Sequence, residues 1–446
     1  MDLASFLPNF GSLAFTIAAF VVALSIIVAV HEYGHYIVGR WSGIHAEVFS
    51  IGFGPVLWAR TDRRGTVWQI AALPFGGYVK FLGDANAASV GTDGTVPESE
   101  RRRTMTGAPL WARSATVAAG PAFNFLFSIL VFAGYIAWQG MPEDTPRLGQ
   151  IHPLPGPVVA LRPGDRISAI DGQPVAMLED FYRVAGELPG AERHVYTIER
   201  DGREMELPGP HPVPARADSI ALQSAARTAG LQAGDVVLTV NGEDVHAFSQ
   251  LPPLVSAVEG VPVALQVWRP ANGAAGTVLD LELTPRRTDM PLPEGGFETR
   301  WLIGLTSGAF FEHPRRSIPV TEVVPLAVGQ TWDVVNRSLS GLGHMIAGAI
   351  STCNLSGPVG IARTSGAMAE DGLMSFIFFI AILSTAVGLL NLFPIPILDG
   401  GHLVFHAWEA VTGKPPSERV LGALMTMGLI ALGSLMLFAL ANDLFC

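Results

Sequence analysis

Cysteine is nearly absent from this chain. Cys353 and Cys446 are the only two in 446 residues, too few for a disulfide framework and without zinc-finger spacing. They can pair only if both lie on an oxidising side of a membrane. Charge is scarce as well: 15% of residues are charged, 49% are hydrophobic, and the mean hydropathy is +0.37. That balance excludes a purely soluble enzyme and suits membrane spans joined to soluble modules. A net charge of −11 provides no basic face, so no nucleic acid partner is expected.

What is present begins with four long apolar segments, Leu13 to Val38, Ala115 to Trp138, Met374 to Leu398 and Val420 to Ala441. Each is long enough to cross about 30 Å of hydrocarbon. The first is too long for the apolar core of a signal peptide and has no Lys or Arg ahead of it, so it is expected to stay as a span. Nine Lys and Arg fall from Arg40 to Arg113, and Lys414 and Arg419 lie between the last two spans. By the positive-inside rule these two loops face the cytoplasm. Both chain ends and the stretch between spans two and three are then expected outside.

Within the first cytoplasmic loop, VFSIGFGPVLWA (48–59) and VWQIAALPFGGYVKF (67–81) are β-type runs around a polar TDRRGT turn. They predict a hairpin whose apolar faces lie against or in the membrane. Gly52, Gly54, Gly76 and Gly77 permit close backbone approach or a bulge, and Pro55 and Pro74 suit an edge. Residues 84–103 read as a surface linker ending in three arginines, which suit anionic headgroups. In the external region LRPGDRISAIDGQPV (161–175) and LQAGDVVLTVNGEDV (231–245) align without a gap. Each reads as a turn, a strand, and an Asp-Gly or Asn-Gly hairpin. Two small β-rich domains are expected, and their pattern is similar to PDZ domains of bacterial proteases. Residues 288–300 read as a Pro/Gly linker, 320–350 as an amphipathic helix on the outer surface, and SGPVGI (356–361) as a turn before span three.

The chemistry concentrates at the end of span one, VALSIIVAVHEYGHYIVGR. His31 and His35 stand four apart, so on a helix they share a face and both can reach one Zn²⁺. Glu32 sits beside the first of them as a general base, the H-E-x-x-H arrangement of zinc hydrolases. A carboxylate in hydrocarbon costs about 2.5–3.5 kcal/mol on insertion scales, so its presence points to function. A second one, Asp399, follows the proline-broken run NLFPIPILDGGH (391–402) and is a natural third ligand, leaving a fourth position for water. Other readings stay open at this point. The histidines could be an interfacial cluster, Asp399 a turn carboxylate, and Asn391 a helix-packing hydrogen bond.

HEYGH, NLFPIPILDGG, FSIGFGP, PFGGYVKFLGD, AAGPAFN (118–124) and SGPVGI together resemble the site-two protease family of intramembrane zinc proteases, peptidase family M50, in its bacterial RseP-type branch. The resemblance implies His31, His35 and Asp399 as ligands of one zinc ion and Glu32 as catalytic base. It implies Asn391 as a substrate or oxyanion contact. Pro394, Pro396, Gly52, Gly54, Gly76 and Gly77 join it as expected substrate-binding positions. The implied fold is a polytopic α-helical membrane protein with four transmembrane helices, a membrane-associated β-hairpin and two external PDZ-like domains. Its divisions are span one at 1–40, a cytoplasmic loop at 41–112, span two at 113–140, and PDZ-like domains at 145–210 and 211–288. A periplasmic linker and amphipathic helix follow at 289–370, then span three at 371–402, a cytoplasmic loop at 403–419, and span four at 420–441. The implied activity is hydrolysis of a peptide bond within single-span membrane proteins, an anti-sigma factor or signal-peptide remnants, at the bacterial inner membrane in an envelope stress response. Competing classes are a membrane zincin with a glutamate ligand, a non-enzymatic peptide-binding scaffold, and a zinc transporter. The transporter would want polar residues on several spans, and span four has almost none.

Overall fold

The computed structural model describes residues 10–84, 96–156, 160–221, 224–271, 274–291 and 297–445. Cys446 and parts of the two stretches read as linkers, 85–95 and 292–296, lie outside the described residues. In chain order the elements are α1 (Phe10–Trp41), β1 (Ala46–Thr61), β2 (Val67–Phe81), α2 (Leu110–Gln139) and β3 (Met141–Pro142). Then come β4 (Arg166–Ile170), β5 (Gln173–Pro174), α3 (Leu178–Glu187), β6 (His194–Arg200), β7 (Arg203–Gly209), β8 (Ser219–Ile220) and α4 (Ala225–Thr228). These lead to β9 (Val236–Val240), β10 (Glu243–Asp244), α5 (Leu251–Ser256), β11 (Val263–Ala271), β12 (Ala274–Leu283), β13 (Arg286–Pro291) and β14 (Phe297–Leu302). The chain finishes with β15 (Leu305–Thr306), β16 (Arg315–Arg316), α6 (Val320–Ile346), α7 (Pro358–Glu370), α8 (Leu373–Asn391), α9 (Asp399–Thr412) and α10 (Glu418–Phe445). They form two compact units. One is Met1–Trp138 with Pro319–Ile346 and Ser351–Cys446, and the other is Gln139–Ile318 with Ala347–Ile350.

In the first unit, α1, α2, α8 and α10 are each long and apolar enough to cross a membrane. The chain is a multi-pass helical membrane protein with substantial β structure. Span three, expected to run to Leu398, stops as a helix at Asn391. Pro394 and Pro396 lack N–H groups and clash with a preceding turn, so the chain breaks into tight turns before α9 begins at Asp399. The SGPVGI turn opens α7, whose first amides are satisfied from α10. Gly357, Val359 and Gly360 N–H donate to the Asp443 carboxylate at 2.8, 2.9 and 2.9 Å, an anion at a helix N-terminus. Cys353 is disulfide-bonded. In α6 the buried residues Val323, Ala327, Thr331 and Val335 recur every four positions, the one-sided pattern expected for an amphipathic helix.

β1 and β2 pair antiparallel, and each bends at its middle. Val48–Ile51 pairs with Gly77–Lys80 on one side and with Val67–Ile70 on the other, while Trp58–Thr61 pairs back onto Val67–Ile70. Gly52 and Gly54, with φ of 93° and 83°, make the first bend possible, because side chains rarely adopt that region. Gly77–Phe81 therefore forms one outer edge. Tyr36, Phe49, Val79, Phe81 and Ala112 bury together, which seats this sheet against the end of α1 and the start of α2. Phe53, Leu57, Trp58, Leu73 and Phe75, near the bends, are exposed.

The second unit contains the repeat in duplicate. Its two four-stranded sheets have orders β5-β4-β6-β7 and β10-β9-β11-β12. Ile170 faces Gln173 and Val240 faces Glu243 across two-residue turns. Asp171 and Asn241 have φ near 50° (47° and 50°), followed by glycines at 79° and 83°, the primed hairpin geometry those dipeptides favour. Asp165 and Asp235 each accept from the backbone N–H three residues earlier, Arg162 and Gln232, and bind an arginine, Arg200 and Arg269, through two nitrogens. Each aspartate is almost fully buried, so losing its arginine would leave a buried charge unpaired and destabilise that domain. Separate apolar cores, around Tyr196 and Phe181 and around Val237 and Leu265, support the two sheets. Where the sequence reads as a linker at 288–300, β13 and β14 pair instead. Ladder pairing there outweighs the proline and glycine content.

The first of these sheets carries two buried imidazoles. His194 Nδ1 lies 2.6 Å from Asp171 Oδ2, and the His211 ring centroid is 5.2 Å from that of His194. Burial pulls His211 from the ordinary histidine value down to about 4; its Nδ1 contact with Val213 O opposes this, and the nearby His194 adds to it. Burial works against the Asp171 carboxylate too, but hydrogen bonds from His194 and Val195 hold it below its ordinary range. A base depressed on folding contributes full stability above its unfolded value and loses it as pH falls below that value. A depressed carboxylate loses its contribution as pH falls through its folded value, so both act in one direction. At about pH 5 His211 should cost this unit about 2 kcal/mol relative to pH 7.5. Thermal unfolding of the full chain at both pH values checks this: the loss should shrink in His211→Phe, and an equal loss would exclude His211 as its source.

Candidate zinc site

α1 carries His31 and His35 one turn apart, with Nε2 atoms 3.1 Å from each other. Asp399, the first residue of α9, brings Oδ2 to 3.1 Å from His31 Nε2 and 3.5 Å from His35 Nε2. Bonds of about 2.0–2.1 Å at tetrahedral angles place ligand atoms about 3.3 Å apart, so the triangle has the size of one zinc coordination face. Asp399 Oδ2 is buried and has no hydrogen-bond partner. Its approach to the two rings is a convergence of lone pairs awaiting a cation. His35 is prepared for this, since its Nδ1 lies 2.8 Å from Thr116 O. A carbonyl only accepts, so the proton sits on Nδ1 and Nε2 is free to ligate. The residues fit zinc, and among the described residues the group has these three members.

Asp399 is not the N-cap of α9, since that position is held by Leu398. Its position depends on the two glycines after it. A Cβ at Gly400 would lie 2.3 Å from Leu392 O, and one at Gly401 2.3 Å from Ile395 O. Only glycines let the proline-broken turn fold back over the start of α9. Two contacts to α2 hold the rest of that helix. Arg113 binds Glu409 through both nitrogens at 3.1 and 2.6 Å, and Ser114 Oγ lies 3.2 Å from His406 Nδ1.

Glu32, half-buried beside the candidate ligands, meets the outer strand of the bent sheet. A Cβ at Gly77 would be 3.3 Å from Glu32 Cγ and 2.7 Å from Ser50 O. Gly77 is thus brought to the site, whereas Gly52, Gly54 and Gly76 shape the bends, with Gly76 lying under the Phe53 ring. Asn391, at the end of α8, donates to Val387 O in its own helix at 3.1 Å. Pro394 lies in the turn before α9, and Pro396 packs on Gly428 of α10.

One wall of the site was not read from the sequence as such. Thr116, Gly120, Asn124 and Ser128 of α2 recur every four residues and are all buried. Thr116 holds His35, and Asn124 Nδ2 is 3.2 Å from His31 Nδ1. A Cβ at Gly120 would fall 2.4 Å from His35 Nε2 and 2.8 Å from His31 Cε1. The signal was present in AAGPAFN as small and polar residues on one helical face of an apolar span.

The family model of Peptidase family M50 matches residues 19–435. The chain belongs to peptidase family M50. It is a metalloprotease. Among similar proteins, the regulator of sigma-E protease RseP of Salmonella typhimurium is 35% identical over 461 residues, covering 97% of this chain and 99% of that protein. A protein of Agrobacterium fabrum carrying the name zinc metalloprotease is 35% identical over 438 residues, 97% of each. Protease RseP of Yersinia pestis is 34% identical over 463 residues, covering 97% of this chain and 99% of that protein. In this M50 metalloprotease the close approach at Gly120 supplies a test of the site. Gly120→Ala should lower zinc affinity by at least about tenfold, as metal analysis after chelator competition would show, with helix content unchanged. Full zinc retention would exclude α2 as a wall of the site.

Proposed function

We propose that this protein is a zinc-dependent intramembrane endopeptidase. The observation that carries the reading is the convergence of His31, His35 and Asp399 beside Glu32 on helices long enough to span a membrane. Zinc, held by those three side chains, supplies Lewis acidity toward the scissile carbonyl and lowers the pKa of water at the site. Glu32 takes a proton from the attacking water as its oxygen bonds to the carbonyl carbon, then delivers it to the leaving nitrogen as the C–N bond breaks. Asn391 is assigned to the substrate or the developing oxyanion, with Pro394 and Pro396 keeping the nearby backbone non-helical. A peptide bond inside a helix is shielded, so the substrate unwinds, and the outer strand Gly77–Phe81 offers backbone groups to an added strand. Gly52, Gly54 and Gly76 set the bend that aims this strand. The exposed apolar residues near the bends suit insertion into lipid, as a membrane-associated hairpin requires.

The substrate class inferred is single-span membrane proteins at the bacterial inner membrane, such as an anti-sigma factor already trimmed outside, or signal-peptide remnants. The similarity to the regulator of sigma-E proteases supports this, as does the Asp-Arg and hairpin duplication of two PDZ-like domains at 145–210 and 211–288. A disulfide at Cys353 supports an oxidising, periplasmic location for that end of the bundle, with the site near the cytoplasmic side. The two external domains are assigned a filtering role, keeping bulky external domains from the site. Deleting residues 145–285 should therefore raise cleavage of untrimmed substrate, and unchanged selectivity would remove that role.

The decisive experiment follows cleavage of a trimmed single-span reporter in detergent. Wild type should cut within the span. Glu32→Gln should retain zinc and fold while losing at least about 10²-fold in rate, and a zinc chelator should stop wild type. A Glu32→Gln protein as active as wild type would overturn the role of Glu32 as base.

A further inference from the structure

His31 and His35 must both present an unprotonated Nε2 to bind a metal through that atom, so both must carry their proton on Nδ1. For His35 the matter is settled by Thr116 O, which only accepts. For His31 the neighbour is the side-chain amide of Asn124, a group with one donor end and one acceptor end. Here the donor end faces the ring, with Nδ2 3.2 Å from Nδ1, and the acceptor end, Oδ1, is buried with no partner. Both facts have one remedy. A half-turn of the amide about its own axis exchanges the two atoms without moving the helix. It gives Oδ1 a partner and gives the Nδ1–H of His31 its acceptor.

We propose that Asn124 is a positioning residue for zinc: its Oδ1 accepts from His31 Nδ1–H and fixes the tautomer in which Nε2 is a ligand. The backbone around it is built to hold that amide in place. Ser128 Oγ and Ser384 Oγ, from α2 and α8, both donate to Asn124 O at 2.9 and 3.1 Å. Ser128 Oγ, sharing its one proton, also lies 2.8 Å from Ala381 O, so α8 is bonded to α2 at the level of Asn124. All three side chains are fully buried. A Cβ at Gly388 would sit 3.1 Å from Asn124 Cβ, which closes the space in which the side chain could swing away. Four residues earlier, Gly120 lets the same face of α2 touch both ligand rings. The two ligands are thus oriented from one helix face, His35 by a backbone carbonyl and His31 by a side chain.

The proposal rests on His31, His35 and Asp399 binding zinc, and its test separates the two. Zinc affinity is measured on the full-length protein in detergent by competition with a chromophoric chelator, with circular dichroism and size exclusion reporting the fold. Asn124→Leu removes the acceptor and should weaken zinc binding about 10–100-fold. Asn124→Asp keeps an oxygen at the same place and, as a carboxylate acceptor for a ligand histidine, should bind zinc as tightly as wild type or tighter. Should Asn124→Leu fail to fold, Asn124→Ala, which only removes atoms, takes its place with the same expectation. A folded Leu or Ala variant that binds zinc like wild type overturns the proposal. So does an Asp variant as weak as the Leu variant, because the amide would then act as a donor or only as packing. If wild type itself binds no zinc, the metal site fails first and the proposal with it.

Discussion

Three lone pairs pointing at one another inside a bundle of membrane-spanning length are unfavourable unless a cation joins them. The Nε2 atoms of His31 and His35 and Oδ2 of Asp399 lie 3.1 to 3.5 Å apart, and water cannot relieve them as it would at a surface. Much of the unusual local structure in the helical unit serves that convergence. The proline-broken turn ends α8 early so that a carboxylate can arrive at membrane depth on a new helix. Gly400 and Gly401 permit the fold-back, and non-helical backbone at that depth is tolerable because it is packed against protein at α9 and α10.

The second helix has the less obvious part. It contributes none of the three candidate ligands, yet its buried stripe from Thr116 to Ser128 touches both site histidines and anchors α8. The Arg113–Glu409 pair ties its start to α9. Both charges are largely withdrawn from solvent, so the pair contributes geometry more than net stability. A helix bonded to α1, α8 and α9 holds the ligands from two separate elements at one spacing. Zinc affinity depends on that spacing more than on the ligand list alone.

The second unit is built on different physics. Each four-stranded sheet closes on a small apolar core and a buried aspartate whose charge is met by an arginine from a neighbouring strand. Hairpins with positive φ at Asp171 and Asn241 set the register locally. Such sheets fold on short-range pairing around cores of their own.

Much of this was legible in the sequence because it is local. Hydropathy marks the four spans by length, His31 and His35 share a face by helical periodicity alone, and the two hairpins follow from Asp-Gly and Asn-Gly. Pairing of β13 with β14 was hidden, since the ladder bonds of this hairpin overrode a composition that reads as linker. The double bend of β1 and β2 was hidden too, because it depends on which glycines take positive φ. The sequence by itself determined the candidate ligand types, the candidate base and the number of segments long and apolar enough to span a membrane. Only the tertiary structure decided that Asp399 meets the histidines, that Gly77 rather than Gly52 lies beside Glu32, and that Asn124 stands behind His31. Those are contacts between residues 45 to 368 positions apart in sequence, and no periodicity within one helix or strand can encode them.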